Sequence, residues 1–266
     1  MNQRSSESTD TVRQSSGRRS RFTTLFLSPT EPRLRAGWRL VLQVILQLAL
    51  TTCAGVFLIA TWRGPLTVDS FSLSGSQILL TAVAELFAIT LSVALARHVL
   101  DHRSFSSLGV KTDMRAVRDF GVGLAITFIM MGLIFVLEIS FGWLDVAALA
   151  WQSQAMILVA QNTGLFLIIC LIVGWNEELM SRGYHLQTLA SGLNLVWAWI
   201  LSSLVFGVLH LANPHANGMA VAGIILAGLF LGYGFIRTGQ LWLSIGLHTG
   251  WNFFEGVVFG FPVSGL

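Results

Sequence analysis

Residues 40–62 read LVLQVILQLALTTCAGVFLIATW and contain no charged side chain. Crossing the hydrocarbon core of a bilayer takes about 20 apolar residues in helix. This stretch has that length, so it predicts a membrane-spanning helix. The pattern then recurs. Further spans are expected over roughly 75–97, 119–140, 155–178, 195–212, 218–236 and 240–260. That gives about seven, with six or eight as alternatives, and the fold class is all-α: a polytopic membrane helical bundle. Composition agrees. The chain is 54% hydrophobic and 11% charged, whereas an ordinary soluble domain carries about 25% charged residues.

Outward from the first span, residues 1–37 are rich in Ser and Arg and poor in apolar residues. They are expected to form a disordered cytoplasmic tail. The first apolar run starts too late and is too long for a secretory signal peptide. Residues 38–150 then hold the N-terminal transmembrane helices and 151–266 a helical core. The charged stretch 101–118 predicts a short amphipathic element on the membrane surface. Cys53 and Cys170 lie in apolar runs and define neither a disulfide framework nor a cysteine metal site.

Basic residues set the expected orientation. Of sixteen Lys and Arg, eight lie at Arg4, Arg13, Arg18, Arg19, Arg21, Arg33, Arg35 and Arg39. Five more lie at Arg97, Arg103, Lys111, Arg115 and Arg118, with Arg182 and Arg237 flanking later spans. A cytoplasmic N-terminus puts all of these inside and leaves Arg63 outside, as the positive-inside rule requires. A cell-membrane, multi-pass location follows. The partner is the bilayer, and a net charge of +3 concentrated in tail and loops points to no nucleic acid.

Ionisable residues at membrane depth are costly and usually face a polar interior. Glu138 sits near a span end, where it reaches the interface. Glu85 is mid-span and is assigned no chemistry. Glu177, Glu178, His210 and His248 form a constellation. Arg182 follows Glu178 by four residues, as His210 follows Phe206 and Asn252 follows His248. Residues four apart share a helix face, so Arg182 is expected to pair with Glu178. A hairpin is expected to turn at Ser191-Gly192-Leu193-Asn194. Glu177 and His210 then lie about 24–26 Å from the turn, at one depth. His248 comes out shallower unless this hairpin projects beyond the membrane.

These residue types suit peptide hydrolysis, which needs a base for water, a donor for the leaving amine and an oxyanion stabiliser. Pairing with Arg182 would keep Glu178 ionised and leave Glu177 to exchange protons. Imidazole and carboxamide can donate to an oxyanion. Imidazole and carboxylate can also ligate zinc, so Glu177, His210 and His248 form a candidate metal set. The four residues Glu177, His210, His248 and Asn252 are expected around one polar cavity open to the cytoplasmic side. Gly228 and Gly232 have small-xxx-small spacing and read as a packing groove.

Three motifs carry a resemblance. Glu177-Glu178-Leu179-Met180-Ser181-Arg182-Gly183 resembles the EExxxR motif of the CPBP family, the CAAX proteases and bacteriocin-processing proteins, also called Abi. Phe206-Gly207-Val208-Leu209-His210 is similar to its FxxxH motif, and His248-Thr249-Gly250-Trp251-Asn252 to its HxxxN motif. The run from Tyr233 to Trp242 is similar to the family's lead-in to the last motif. The resemblance covers roughly residues 155–260. It implies an intramembrane endopeptidase related to type II CAAX prenyl endopeptidases, often classed as metallopeptidases. It implies that Glu177 activates water together with His210, that His248 and Asn252 stabilise the oxyanion, and that Glu178, Arg182 and Phe206 support the site. The implied substrate is a membrane-associated protein or peptide. Two other classes compete: a non-catalytic membrane adaptor or bacteriocin-immunity-type protein that keeps the fold, and an ion-coupled carrier. A carrier would often show an internal repeat, and the sequence shows none.

Overall fold

The computed structural model describes residues 25–29, 31–61, 75–214 and 216–263. Arg4, Arg13, Arg18, Arg19, Arg21 and Arg63 lie outside the described residues. The chain forms helices α1 (Ala36–Thr61), α2 (Gly75–Leu95), α3 (Met114–Ser140) and a one-turn α4 (Ala150–Ser153). Then come α5 (Met156–Gly192), α6 (Leu195–Leu209), α7 (Gly218–Thr238) and α8 (Trp242–Asn252). Among the described residues, six helices are long and apolar enough to cross a membrane. The seventh expected span is α8, whose 11 residues continue into a 6-residue π-helix, Phe253–Val258. The protein is a multi-pass helical bundle. Its outer surface is apolar: Phe57, Phe87 and Leu226 are each about two-thirds exposed, as a bilayer solvent allows.

Local chemistry sets the helix starts. Asp113, Asn194 and Asn217 each cap a helix by accepting a backbone N–H three residues on, which satisfies one of the orphan donors of the first turn. The hairpin turn falls at Leu193-Asn194, inside the expected window. The 101–118 connection holds a 3-10 turn, Phe105–Leu108, with Leu108 fully buried.

One end of the bundle gathers the basic residues. Arg33, Arg39 and Arg97 are buried and converge on the carboxylate of Asp101. Arg39 also donates to Ser191 at the hairpin tip (2.6 Å), and Arg97 to Gln187 (3.2 Å). The tail expected to be disordered through residue 37 is therefore ordered where it is described. Leu27 bridges to Leu34, and Glu31 pairs with Arg33 at 2.6 Å. The reason is the buried Asp101: a lone carboxylate there needs countercharge, and the tail arginines supply it. Arg182 departs from expectation in the other direction. It belongs to the bundle interior rather than to the cytoplasmic-side charges.

Polar side chains also tie α1, α2 and α5 together. Gln43, fully buried, holds Ser92 and His185, and Trp175 donates to Thr90 at 3.0 Å. Such interhelical bonds hold bundles in lipid. The tightest contact is between α3 and α8. A Cβ on Gly246 would collide with the Phe120 carbonyl, and one on Gly123 would stand 2.5 Å from the Leu247 nitrogen. Glycine at both positions lets the two backbones touch and locks the level of α8.

Asp101→Asn should destabilise the protein by about 3–5 kcal/mol, because it strands buried arginines. Thermal unfolding in detergent checks this. A melting temperature equal to wild type would show that the cluster carries no stability.

Candidate active site

The two acidic residues of the EE pair have different fates. Glu178 is completely buried. Its Oε1 accepts from Arg182 at 2.7 Å and from Nδ1 of His248 at 2.8 Å. Arg182 is also buried; it donates to the Gly228 carbonyl at 3.0 Å and lies 4.3 Å over the Phe206 ring. The expected pairing of Arg182 with Glu178 is present. Its extension to His248 ties α5 to α8, and Arg182 extends it to α7 and α6. Gly228 packs on the Ser203 backbone and Gly232 on the Trp199 ring, so the expected packing groove is there too. It has a second use, since the Gly228 carbonyl serves Arg182.

Glu177 faces the histidines. Its Oε2 stands 3.7 Å from Nε2 of His210 and 3.7 Å from Nε2 of His248. Hydrogen bonds on the far side of each ring fix which nitrogen points inward. Nδ1 of His210 lies 2.7 Å from the Phe206 carbonyl, which can only accept. Nδ1 of His248 donates to Glu178. Both Nδ1 atoms therefore carry a proton, and both Nε2 atoms turn toward Glu177. At 3.7 Å these are not direct hydrogen bonds; separations of this size are the kind that a bridging water spans. The Glu177 Oε2 is buried and has no hydrogen-bond partner within the protein. Phe206 wedges between the imidazoles, 4.8 Å from the ring of His210 and 6.1 Å edge-on from that of His248. Glu85 interacts electrostatically with Glu177.

Glu177, His210 and His248 would be the residues to hold a metal. Zinc bonds of 2.0–2.1 Å in a tetrahedral site put donors about 3.3 Å apart, closer than the 3.7 Å found for both pairs. Among the described residues no three His, Cys, Asp or Glu side chains are arranged to hold a metal ion.

Asn252 lies one turn beyond His248 and lines a cavity of about 580 Å³ together with Phe206, His210 and His248. This cavity differs from expectation. Its wall is mostly apolar, and Glu177 is not among the residues that line it. It also extends away from the basic end. It is lined by α7 from Ala220 to Leu231, by Asn213 and Ala216 of the preceding loop, and by Pro262. The cause is the helical direction. Both α3 and α8 leave the basic end, so Thr127 and everything beyond Leu247 lie deeper.

Two features of the site escaped the motif reading. The helix widens to π geometry directly after Glu178 (Leu179–Leu186) and again directly after Asn252 (Phe253–Val258). Such widenings are frequent at functional sites, and nothing in residue spacing marks them. The second is Glu255, a half-buried carboxyl in the cavity wall. Its signal was present, since it is ionisable, inside the last span and seven residues from His248.

Comparison with known proteins agrees with the motifs. The family described as Type II CAAX prenyl endopeptidase Rce1-like matches residues 159–254. In Bacillus subtilis (strain 168), "Uncharacterized protein YyaK" is 39% identical over 82 residues, 29% of this chain and 27% of that protein. From the same organism, "Putative membrane peptidase YdiL" is 30% identical over 104 residues, 39% of this chain and 41% of that protein. The matched stretches span less than half the length of either relative. No solved structure matches. The family match and the three motifs thus fall on the same stretch of the chain.

Arg182→Ala should lower abundance as well as any activity, since it leaves the buried Glu178 charge uncompensated at a cost of about 3–5 kcal/mol. Adding Glu178→Gln should restore abundance, because the amide oxygen can still accept from His248. Membrane levels by immunoblot decide it. No recovery in the double variant would disprove the pairing's structural role.

Proposed function

We propose that this chain is an intramembrane endopeptidase that hydrolyses a peptide bond of a membrane-associated protein or peptide. One observation carries the reading: two imidazole Nε2 atoms and a carboxylate oxygen from three different helices converge at 3.7 Å, beside a largely apolar cavity.

The chemistry follows from the hydrogen bonds. A water held between Glu177, His210 and His248 gives a proton to Glu177 and attacks the scissile carbonyl carbon. His210 accepts a hydrogen bond from that water at Nε2, since its Nδ1–H is committed to Phe206. The oxyanion forms on the cavity side, where the Asn252 amide donates. His248 in its charged form adds a second donor at Nε2. Glu177 then passes the proton to the leaving nitrogen. Phe206 and the Glu178–Arg182 pair hold both rings in place. Oriented donors of this kind are worth about 3–4 kcal/mol each in transition-state stabilisation.

No step needs a metal on this reading, so chelation should leave cleavage unchanged. A loss of more than about tenfold that zinc restores would make Glu177, His210 and His248 ligands instead.

The chain is proposed to lie in the cell membrane with the basic end cytoplasmic. The cavity then occupies the half of the bilayer toward the exterior. Reporter fusions at residue 266 and within 101–118 test this; a cytoplasmic signal at 266 would overturn it.

Glu177→Gln should abolish cleavage while leaving insertion intact, because the amide keeps the shape but cannot take a proton. Membrane proteomics of wild type against this variant should show a truncated membrane protein that vanishes in the variant. Full activity in Glu177→Gln would refute the mechanism and favour a non-catalytic adaptor.

A further inference from the structure

The same cavity holds a carboxylate that the mechanism does not use. Glu255 lines its wall two turns beyond His248 and one beyond Asn252. Trp251, one turn earlier on the same helix, lines the cavity as well. Among the described residues no Lys, Arg or His stands within ion-pair distance of Glu255. Two buried carboxylates are provided for: Asp101 has three arginines, and Glu178 has Arg182 and His248; Glu85 resembles Glu255 in having no ion-pair partner among the described residues, but it does not line the cavity. A carboxylate at membrane depth is expensive and marks a functional path by default.

The opposite wall leaves room for a chain. Ala220, Gly223 and Ala227 follow one another along α7 at helical spacing, and a Cβ built on Gly223 would meet nothing within 4 Å. An indole next to a carboxylate also suits a cation, which gains from both the charge and the ring face.

We propose that Glu255, with Trp251, forms a subsite that selects substrates carrying a basic side chain near the scissile bond. This rests on the endopeptidase reading of the site. The distance follows from the helix. Seven residues from His248 to Glu255 rise about 10 Å, which an extended peptide covers in about three residues. The basic residue therefore stands about three positions from the cleaved bond, on the side away from the basic end of the bundle.

The test uses the full chain in lipid nanodiscs with fluorescent apolar peptides. Each peptide carries lysine, its neutral isostere norleucine, or glutamate, at one to five positions either side of a central bond. Cleavage is measured on wild type, and binding by anisotropy on Glu177→Gln. Wild type should prefer the lysine peptide to the norleucine peptide by about tenfold, mostly in KM, at one position about three residues from the cut. Glu255→Gln should bring that ratio to within about twofold, and Glu255→Arg should turn the preference toward glutamate. A lysine preference in binding that depends on Glu255, without cleavage of any peptide, upholds the subsite and overturns the endopeptidase reading. Cleavage with no charge preference in wild type overturns the subsite and leaves the endopeptidase reading standing. The wild-type ratio decides even if a Glu255 variant fails to fold.

Discussion

The site hangs on one buried carboxylate. Glu178 has no exposed surface and cannot reach water, so its charge must be met inside the bundle. Arg182, one turn along the same helix, meets it, and His248 from the last helix completes it. Two consequences follow from this single oxygen. Arg182, once drawn inward, needs further partners, and finds the Gly228 carbonyl and the Phe206 ring. His248, once its Nδ1 is committed, must turn Nε2 toward Glu177. One structural charge thus ties together four helices and orients the His248 ring.

Depth is the second constraint. His210 is 17 residues from Leu193, whereas His248 is only nine from the turn at Gly239. Both nevertheless reach the Glu177 carboxylate. The difference of eight residues is about 12 Å of helix, so the α5–α6 tip must stand that much farther out than the α7–α8 turn. It does so because α5 runs 37 residues, about 55 Å, against a hydrocarbon core of about 30 Å. The projecting tip would be unsupported by lipid. Arg39 and Arg97 grip it through Ser191 and Gln187, which gives the N-terminal segment a structural purpose. The Gly123 and Gly246 contact then stops α8 from sliding to another level.

Much of this was legible in the sequence. Apolar runs of the right length located the spans, and four-residue spacings located the pairs Glu178–Arg182, Phe206–His210 and His248–Asn252. Periodicity works there because it depends on a helix alone. What failed depends on contacts between helices. The Glu178 link to His248 crosses 70 residues, and no local pattern encodes it. The ordering of the tail needed knowledge of Asp101, 62 to 68 residues away in the chain. That the cavity runs away from the basic end along α7 was not legible either, because depth along single helices leaves out their packed stagger. Glu255 was overlooked for a different reason: it belongs to no four-residue pair with another polar residue, so a search for pairs passed over it.

The charge content of the interior gives these parts a common logic. Glu177, Glu178, Glu85 and Glu255 occupy one stretch of the bundle, and Arg182 is the only arginine or lysine among the described residues that pairs with any of them. In a medium of low dielectric such an imbalance is costly and cannot be screened by salt. Arg182 is fully committed to Glu178. The remaining carboxylates need positive charge or protons from elsewhere, and three sources are at hand: the two imidazoles, water entering the site, and whatever the cavity binds. In the proposed hydrolysis the imidazoles hold the water and the oxyanion, and the water gives its proton to Glu177. On the proposed reading the third is the substrate, and the acidity that would prime water for attack would also hold a basic side chain in the cavity more tightly than an apolar one. Catalysis and selection would then draw on one electrostatic imbalance, built into the bundle by carboxylates on α2, α5 and the end of α8.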